Sequence, residues 1–124
     1  MKDGKHVVLC VDDDQDFLLG LQVILEDNGY AMVQAQDGKE ALGVFQANQP
    51  DLVLVDLMME EVDAGTNFVK ELRASGSTVP VYMISSAGDQ LSVSTDTSEL
   101  GLSGVLQKPL DKDALLSLLK AKLA

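Results

Sequence analysis

Five short runs rich in valine, leucine and isoleucine recur along this chain, and stretches with helical periodicity separate them. The runs cover His6 to Val11, Tyr30 to Ala35, Leu52 to Val55, Val81 to Ile84 and Val105 to Leu106. Unbroken apolar runs of this length suit strands buried on both faces of a parallel sheet. Between them, Phe17, Leu18, Leu21, Ile24 and Leu25 fall at helical spacing, as do Ala41, Leu42 and Phe45, then Phe68, Val69 and Leu72. The repeat is strand then helix, five times over. It predicts the α/β class, with a parallel sheet and helices on both faces.

Punctuation agrees with this reading. Asn28 and Gly29 form a stop for the first helix, and Pro50 lies just past the second. The segment "GDQLSVSTDTSELG" is crowded with serine and threonine, which compete for backbone hydrogen bonds, so the fourth helix is expected to be short or irregular. The last helix, "DKDALLSLLKAKLA", carries Leu115 and Leu118 on one stripe and Leu116, Leu119 and Leu123 on its neighbour. That apolar arc is wider than packing on a sheet requires, leaving two readings open: part of it meets a partner, or a few leucines are simply exposed. The 124 residues suit one domain, residues 1–124, large enough to bury a core without disulfides. The lone cysteine, Cys10, lies within an apolar run and reads as a small core residue.

The polar residues are concentrated where such a sheet presents them together. Asp12 and Asp13 end the first strand in "CVDDDQD", and Asp56 ends the third in "DLVLVDLM". Ligands of open parallel sheets bind at the carboxyl ends of the strands, where the strand order reverses. If the order is 2-1-3-4-5, the first and third strands are neighbours and the three carboxylates meet on one rim. A hard divalent cation with oxygen ligands offsets their repulsion, and Mg²⁺ is the expected occupant. The fourth strand, "VPVYMIS", brings Ser85 to the same rim, and the fifth, "GVLQKPL", brings Lys108. Carboxylates, a metal, a hydroxyl and an ammonium group make a site for a phosphoryl group: Asp56 attacks phosphorus, while Lys108, Ser85 and the metal take up its oxygens. Asp14 and Asp16 start the first helix, where acids cap free N–H groups.

The formal net charge of −11 sets the surface against phosphate backbones and anionic lipid, so no direct nucleic-acid binding is expected. No apolar segment reaches bilayer-spanning length, and the first residues lack a signal-peptide pattern. A cytoplasmic protein without membrane contact is the expectation.

The motifs "VLCVDDDQDF", "PDLVLVDLMM" with "VDAG", "VPVYMISS" and "GLSGVLQKPL" together resemble the receiver domain of two-component response regulators, over essentially the whole chain. The resemblance implies a flavodoxin-like (βα)5 fold and a phosphorylation switch rather than an enzyme with turnover. Asp12 and Asp13 are then the metal-binding pair, Asp56 the phosphoacceptor, Ser85 the switch hydroxyl and Lys108 the phosphate-binding lysine. The backbone carbonyl of Met58 is a further implied metal ligand, and the Lys108–Pro109 peptide is expected to be cis. A histidine kinase or phosphotransfer protein is the implied donor. The phosphorylated form presents a changed surface around the fourth and fifth helices to a downstream protein or output domain, and a homodimer through those helices is one further implied partner.

This chain departs from the family pattern in places. Val105 replaces the usual aromatic residue three positions before the lysine, Glu60 stands where proline is usual, and one extra residue separates Asp63 from the third helix. Met58 and Ala87 flank the acceptor where polar residues in relatives position the attacking water, so a long-lived phospho-Asp56 is expected.

Other functions fit less well. A receiver-like docking module that needs no phosphorylation normally lacks part of the acidic pair, acceptor or lysine, and none is missing here. An aspartyl phosphatase needs a second acid two residues after its nucleophile, where this chain has Met58. A flavodoxin would need a phosphate loop after the first strand. A calcium loop starting at Asp12 fails because Phe17 occupies its glycine position and Val23 its bidentate glutamate. His6, without metal-ligand neighbours in sequence, reads as a structural histidine at a strand edge.

Overall fold

The order of elements is β1 (Val7–Val11), α1 (Gln15–Asp27), β2 (Ala31–Ala35), α2 (Gly38–Asn48), β3 (Leu52–Asp56), α3 (Ala64–Ala74), β4 (Val81–Ser85), β5 (Gly104–Gln107) and a C-terminal helix (Lys112–Leu123). The structure is a computed structural model and describes residues 4–56, 64–85, 104–107 and 111–123. The segment expected to form an irregular fourth helix lies outside these residues, as does the Lys108–Pro109 peptide.

All strand pairs are parallel, in the order β2-β1-β3-β4 with β5 paired beyond β4. Parallel neighbours need a crossover: α1, α2 and α3 supply those from β1 to β2, β2 to β3 and β3 to β4, and these helices together with the C-terminal one cover the two faces. Alternation along the strands divides the interior in two. Leu9, Val11, Val53, Val55, Val81 and Met83 face α2 and α3, which contribute Ala41, Phe45, Phe68, Val69 and Leu72. Val8, Cys10, Leu52, Leu54, Tyr82 and Ile84 face the opposite way, onto Leu18, Leu21 and Leu25 of α1 and Leu115, Leu119 and Leu123 of the C-terminal helix. Each fully buried leucine or valine side chain contributes about 1.5–3 kcal/mol through removal from water, which is what holds the helices to the sheet.

Two details of the C-terminal helix and α1 bear on surfaces. Leu116 and Leu118, which flank the buried leucine row, pack partly against the same core, so the described leucines of this helix all engage the domain itself. Among the described residues, the large apolar side chains that do face water are Leu19 and Val23 of α1, 59% and 54% exposed.

Helix ends follow from local chemistry. Asp14 caps α1 by accepting hydrogen bonds from the Asp16 and Phe17 N–H groups at 3.0 and 3.3 Å. Asp37 does the same for α2 through the Glu40 N–H at 2.7 Å. At the far end of α1, Gly29 takes φ +87°, a left-handed conformation that glycine adopts without penalty.

Candidate functional site at the carboxyl rim of the sheet

Register decides what meets at the rim. Val11 is paired with Val55, so the residues that follow, Asp12 and Asp56, leave neighbouring strands side by side. Asp12 continues the ladder for one step, donating its N–H to the Ala35 carbonyl at 3.1 Å. Its Oδ1 accepts the Asp14 N–H at 2.9 Å, which turns the chain from β1 into α1. That turn leaves Asp13 exposed at the mouth, while Asp12 and Asp56 are 1% and 3% exposed.

One carboxylate oxygen from each of Asp12, Asp13 and Asp56 lies within 4.8 Å of the other two. Three hard oxygen donors at that spacing, two buried and one open to solvent, fit a divalent cation that keeps water in its remaining positions. Nitrogen and sulfur donors are absent from this trio, so its chemistry favours magnesium or a similar ion over zinc. Cys10, close by on β1, is no ligand candidate: burial, reinforced by the Asp12 charge, holds its thiol far above the ordinary range and therefore protonated.

Ser85 is the last residue of β4, one position past Ile84, which pairs with Asp56. Its backbone therefore ends at the same rim, beside the acceptor strand. Ser85 also pairs with Gln107, the last residue of β5, so β5 ends at that rim too. Lys108 and Met58 lie outside the described residues, as do Glu60 and Ala87. Asp14 caps the helix and Asp16 lies in its first turn, donating its N–H to Asp14, while Asp12 and Asp13 join Asp56.

The opposite, amino-terminal edge carries a polar cluster in which His6 was marked by the sequence as a strand-edge residue and Asp51 was not. Asp51 precedes β3 and accepts the Val7 N–H through Oδ2 at 2.8 Å, while its own N–H donates to the Val7 carbonyl at 2.7 Å. Partial burial raises its pKa, but the Val7 hydrogen bond and nearby positive charge, His6 included, outweigh that and hold it below the ordinary value. His6 Nδ1 lies 3.8 Å from the same Asp51 oxygen, so the chain's only histidine stands at a strand start, away from the acidic trio. A signal for this contact existed only in the pairing of Val7 and Asp51, 44 residues apart at the starts of two neighbouring strands.

Comparison with known proteins adds independent information. A family model of the response regulator receiver domain matches residues 8–120. The response regulator MprA of Mycolicibacterium vanbaalenii is 34% identical over 116 residues, which are 94% of this chain and 49% of that protein. The transcriptional regulatory protein CseB of Streptomyces avermitilis is 35% identical over 123 residues, 99% of this chain and 51% of that one. The chain thus spans about half the length of these curated relatives. Among solved structures, the chemotaxis response regulator CheY4 of Vibrio cholerae aligns with a TM-score of 0.83 and 30% identity, covering 96% of this chain and 99% of that one.

Proposed function

The chain belongs to the response regulator receiver domain family, and from that premise we propose that it is a phosphorylation switch of a two-component system, with Asp56 as the acceptor. The observation that carries this reading is the convergence of Asp12, Asp13 and Asp56 oxygens within 4.8 Å at the carboxyl rim. The donor is a phosphohistidine on a histidine kinase or phosphotransfer protein. An Asp56 oxygen attacks phosphorus, the bond from phosphorus to the donor nitrogen breaks, and the imidazole leaves as the neutral ring once protonated. Asp12, Asp13, Asp56 and the Met58 backbone carbonyl hold Mg²⁺. When bound, Mg²⁺ neutralises the carboxylates and the phosphoryl oxygens, lowering the electrostatic cost of bringing an anionic group to this rim.

Lys108 and Ser85 complete the pocket, by charge and by a donated hydrogen bond respectively. Their movement toward the phosphoryl group links Asp56 to the surface around β5 and the C-terminal helix, and so to the choice of downstream protein. The protein assists its own phosphorylation and dephosphorylation without being a turnover enzyme. It works in the cytoplasm; among the described residues no helix is long and apolar enough to cross a membrane. The output is either a separate protein or a domain joined to this one.

Incubation with Mg²⁺ and acetyl phosphate, followed by intact mass, tests this directly. The expected result is one added phosphoryl group on the chain and none on Asp56→Asn or after chelation of the metal. A chain that accepts no phosphoryl group from this donor or from a phosphorylated phosphotransfer protein, while remaining folded, would return it to the class of docking modules.

A further inference from the structure

The chain holds three asparagines, and only Asn28 is followed by glycine. Both residues of this pair are exposed at the corner between α1 and β2. The space a Cβ would occupy on Gly29 is open, so no side chain screens its backbone nitrogen from the neighbouring carboxamide. We propose that Asn28 is a modification site at which water replaces the side-chain amide nitrogen, with the last turn of α1 acting as the gate.

The gate is visible in the hydrogen bonds. Asn28 caps α1 and donates through Nδ2 to the Ile24 carbonyl at 2.8 Å. The Gly29 N–H donates to the Glu26 carbonyl at 3.3 Å. For reaction, the Gly29 nitrogen gives up its proton and attacks Cγ of Asn28, so both bonds must first be released. Release means fraying of one helical turn at an exposed end, the type of local opening that costs least in a folded domain.

The step is balanced without any oxidant. The new bond joins the Gly29 nitrogen to Cγ, the bond from Cγ to Nδ2 breaks, and ammonia departs. Water then opens the cyclic imide. Attack at Cγ gives aspartate; attack at the backbone carbonyl gives isoaspartate, in which the main chain runs through the side-chain carbon. Either product replaces the donor to Ile24 by a carboxylate and adds negative charge at a helix C-terminus, where the dipole disfavours it. Isoaspartate also lengthens the backbone ahead of Tyr30, whose N–H donates to the Leu25 carbonyl at 2.9 Å and whose ring is buried among the α1 leucines. The modified corner is therefore looser than the original, and the change does not reverse.

The test holds the purified chain at warm, mildly alkaline conditions in heavy-oxygen water, in native buffer and in urea, and follows it by intact mass and peptide mapping. Expected are conversion confined to the peptide carrying Asn28, heavy oxygen in the product, a rate about tenfold or more higher in urea, and no conversion there in Asn28→Gln. Asn28→Asp should melt below the parent. The proposal is overturned if the native chain shows no conversion at Asn28, if Asn48 or Asn67 converts instead, or if native and urea rates are equal.

Discussion

Asp12 and Asp56 stand side by side at the ends of hydrogen-bonded parallel strands, and they are the two buried charged residues among the described ones. Each buried ionised carboxylate costs several kcal/mol unless compensated, and placing two together adds their repulsion. A core built only for stability has no use for the pair. Exposed Asp13 lies within reach of both, and a cation held by the three would offset that repulsion.

On the proposed reading Mg²⁺ binds the folded site and has no equivalent in the unfolded chain, so it should stabilise this protein. At a concentration about a hundredfold above its Kd, the gain is about 2.7 kcal/mol, which for a domain of this size is about 10 °C in Tm. Thermal melts with and without Mg²⁺ check this. Asp12→Asn and Asp13→Asn should each remove most of the gain.

Asp14 is adjacent in sequence and different in role. Its hydrogen bonds go to the Asp16 and Phe17 N–H groups at the start of α1. Asp14→Ala should cost about 1 kcal/mol of stability, the typical value for a lost N-cap. The Mg²⁺-dependent rise in Tm should be nearly unchanged. A loss of that rise in Asp14→Ala would mean that the capping acid also serves the metal.

Sequence made the sheet legible because its strands are buried on both faces, so Val7–Val11 and Leu52–Val55 read as unbroken apolar runs. Where the apolar runs stop, the ladder goes one residue further: β3 and β4 end on Asp56 and Ser85, the polar strand ends that the sequence itself marked. The rim acids were legible because they stand where apolar runs stop, Asp12 and Asp13 just past β1 and Asp56 as the last residue of β3. Asp51 was not, because its carboxylate serves the first N–H of a strand far away in sequence, and only the β1–β3 pairing reveals that. Periodicity marks the centre of a helix's buried face better than its width. Leu115, Leu119 and Leu123 face the sheet, but the degree to which Leu116 and Leu118 are covered depends on neighbours that the helix's own sequence does not contain.

Asp51 gives stability a defined pH dependence. Its folded pKa lies below its ordinary 3.8, so its ionised form is stabilising, fully present above that value and lost as pH falls through the lower, folded one. Asp51→Asn keeps an acceptor for the Val7 N–H but removes the charge. The variant should be less stable than the parent by up to about 1 kcal/mol near neutral pH, and the gap should close on acidification. Urea titrations from about pH 6 down to about pH 3 read it out.

The remaining prediction concerns how long the switch stays on. Met58 follows the proposed acceptor by two residues and offers no hydrogen bond to a water attacking phosphorus. Hydrolysis needs that water held in line, and holding it is entropically costly unless a side chain does so. Met58→Asn supplies a donor and an acceptor at the same position. The half-life of the acyl phosphate, followed by intact mass after removal of the phosphodonor, should then shorten by roughly tenfold, about 1.4 kcal/mol off the barrier. An unchanged half-life in a variant that still takes up the phosphoryl group would show that Met58 does not set the lifetime.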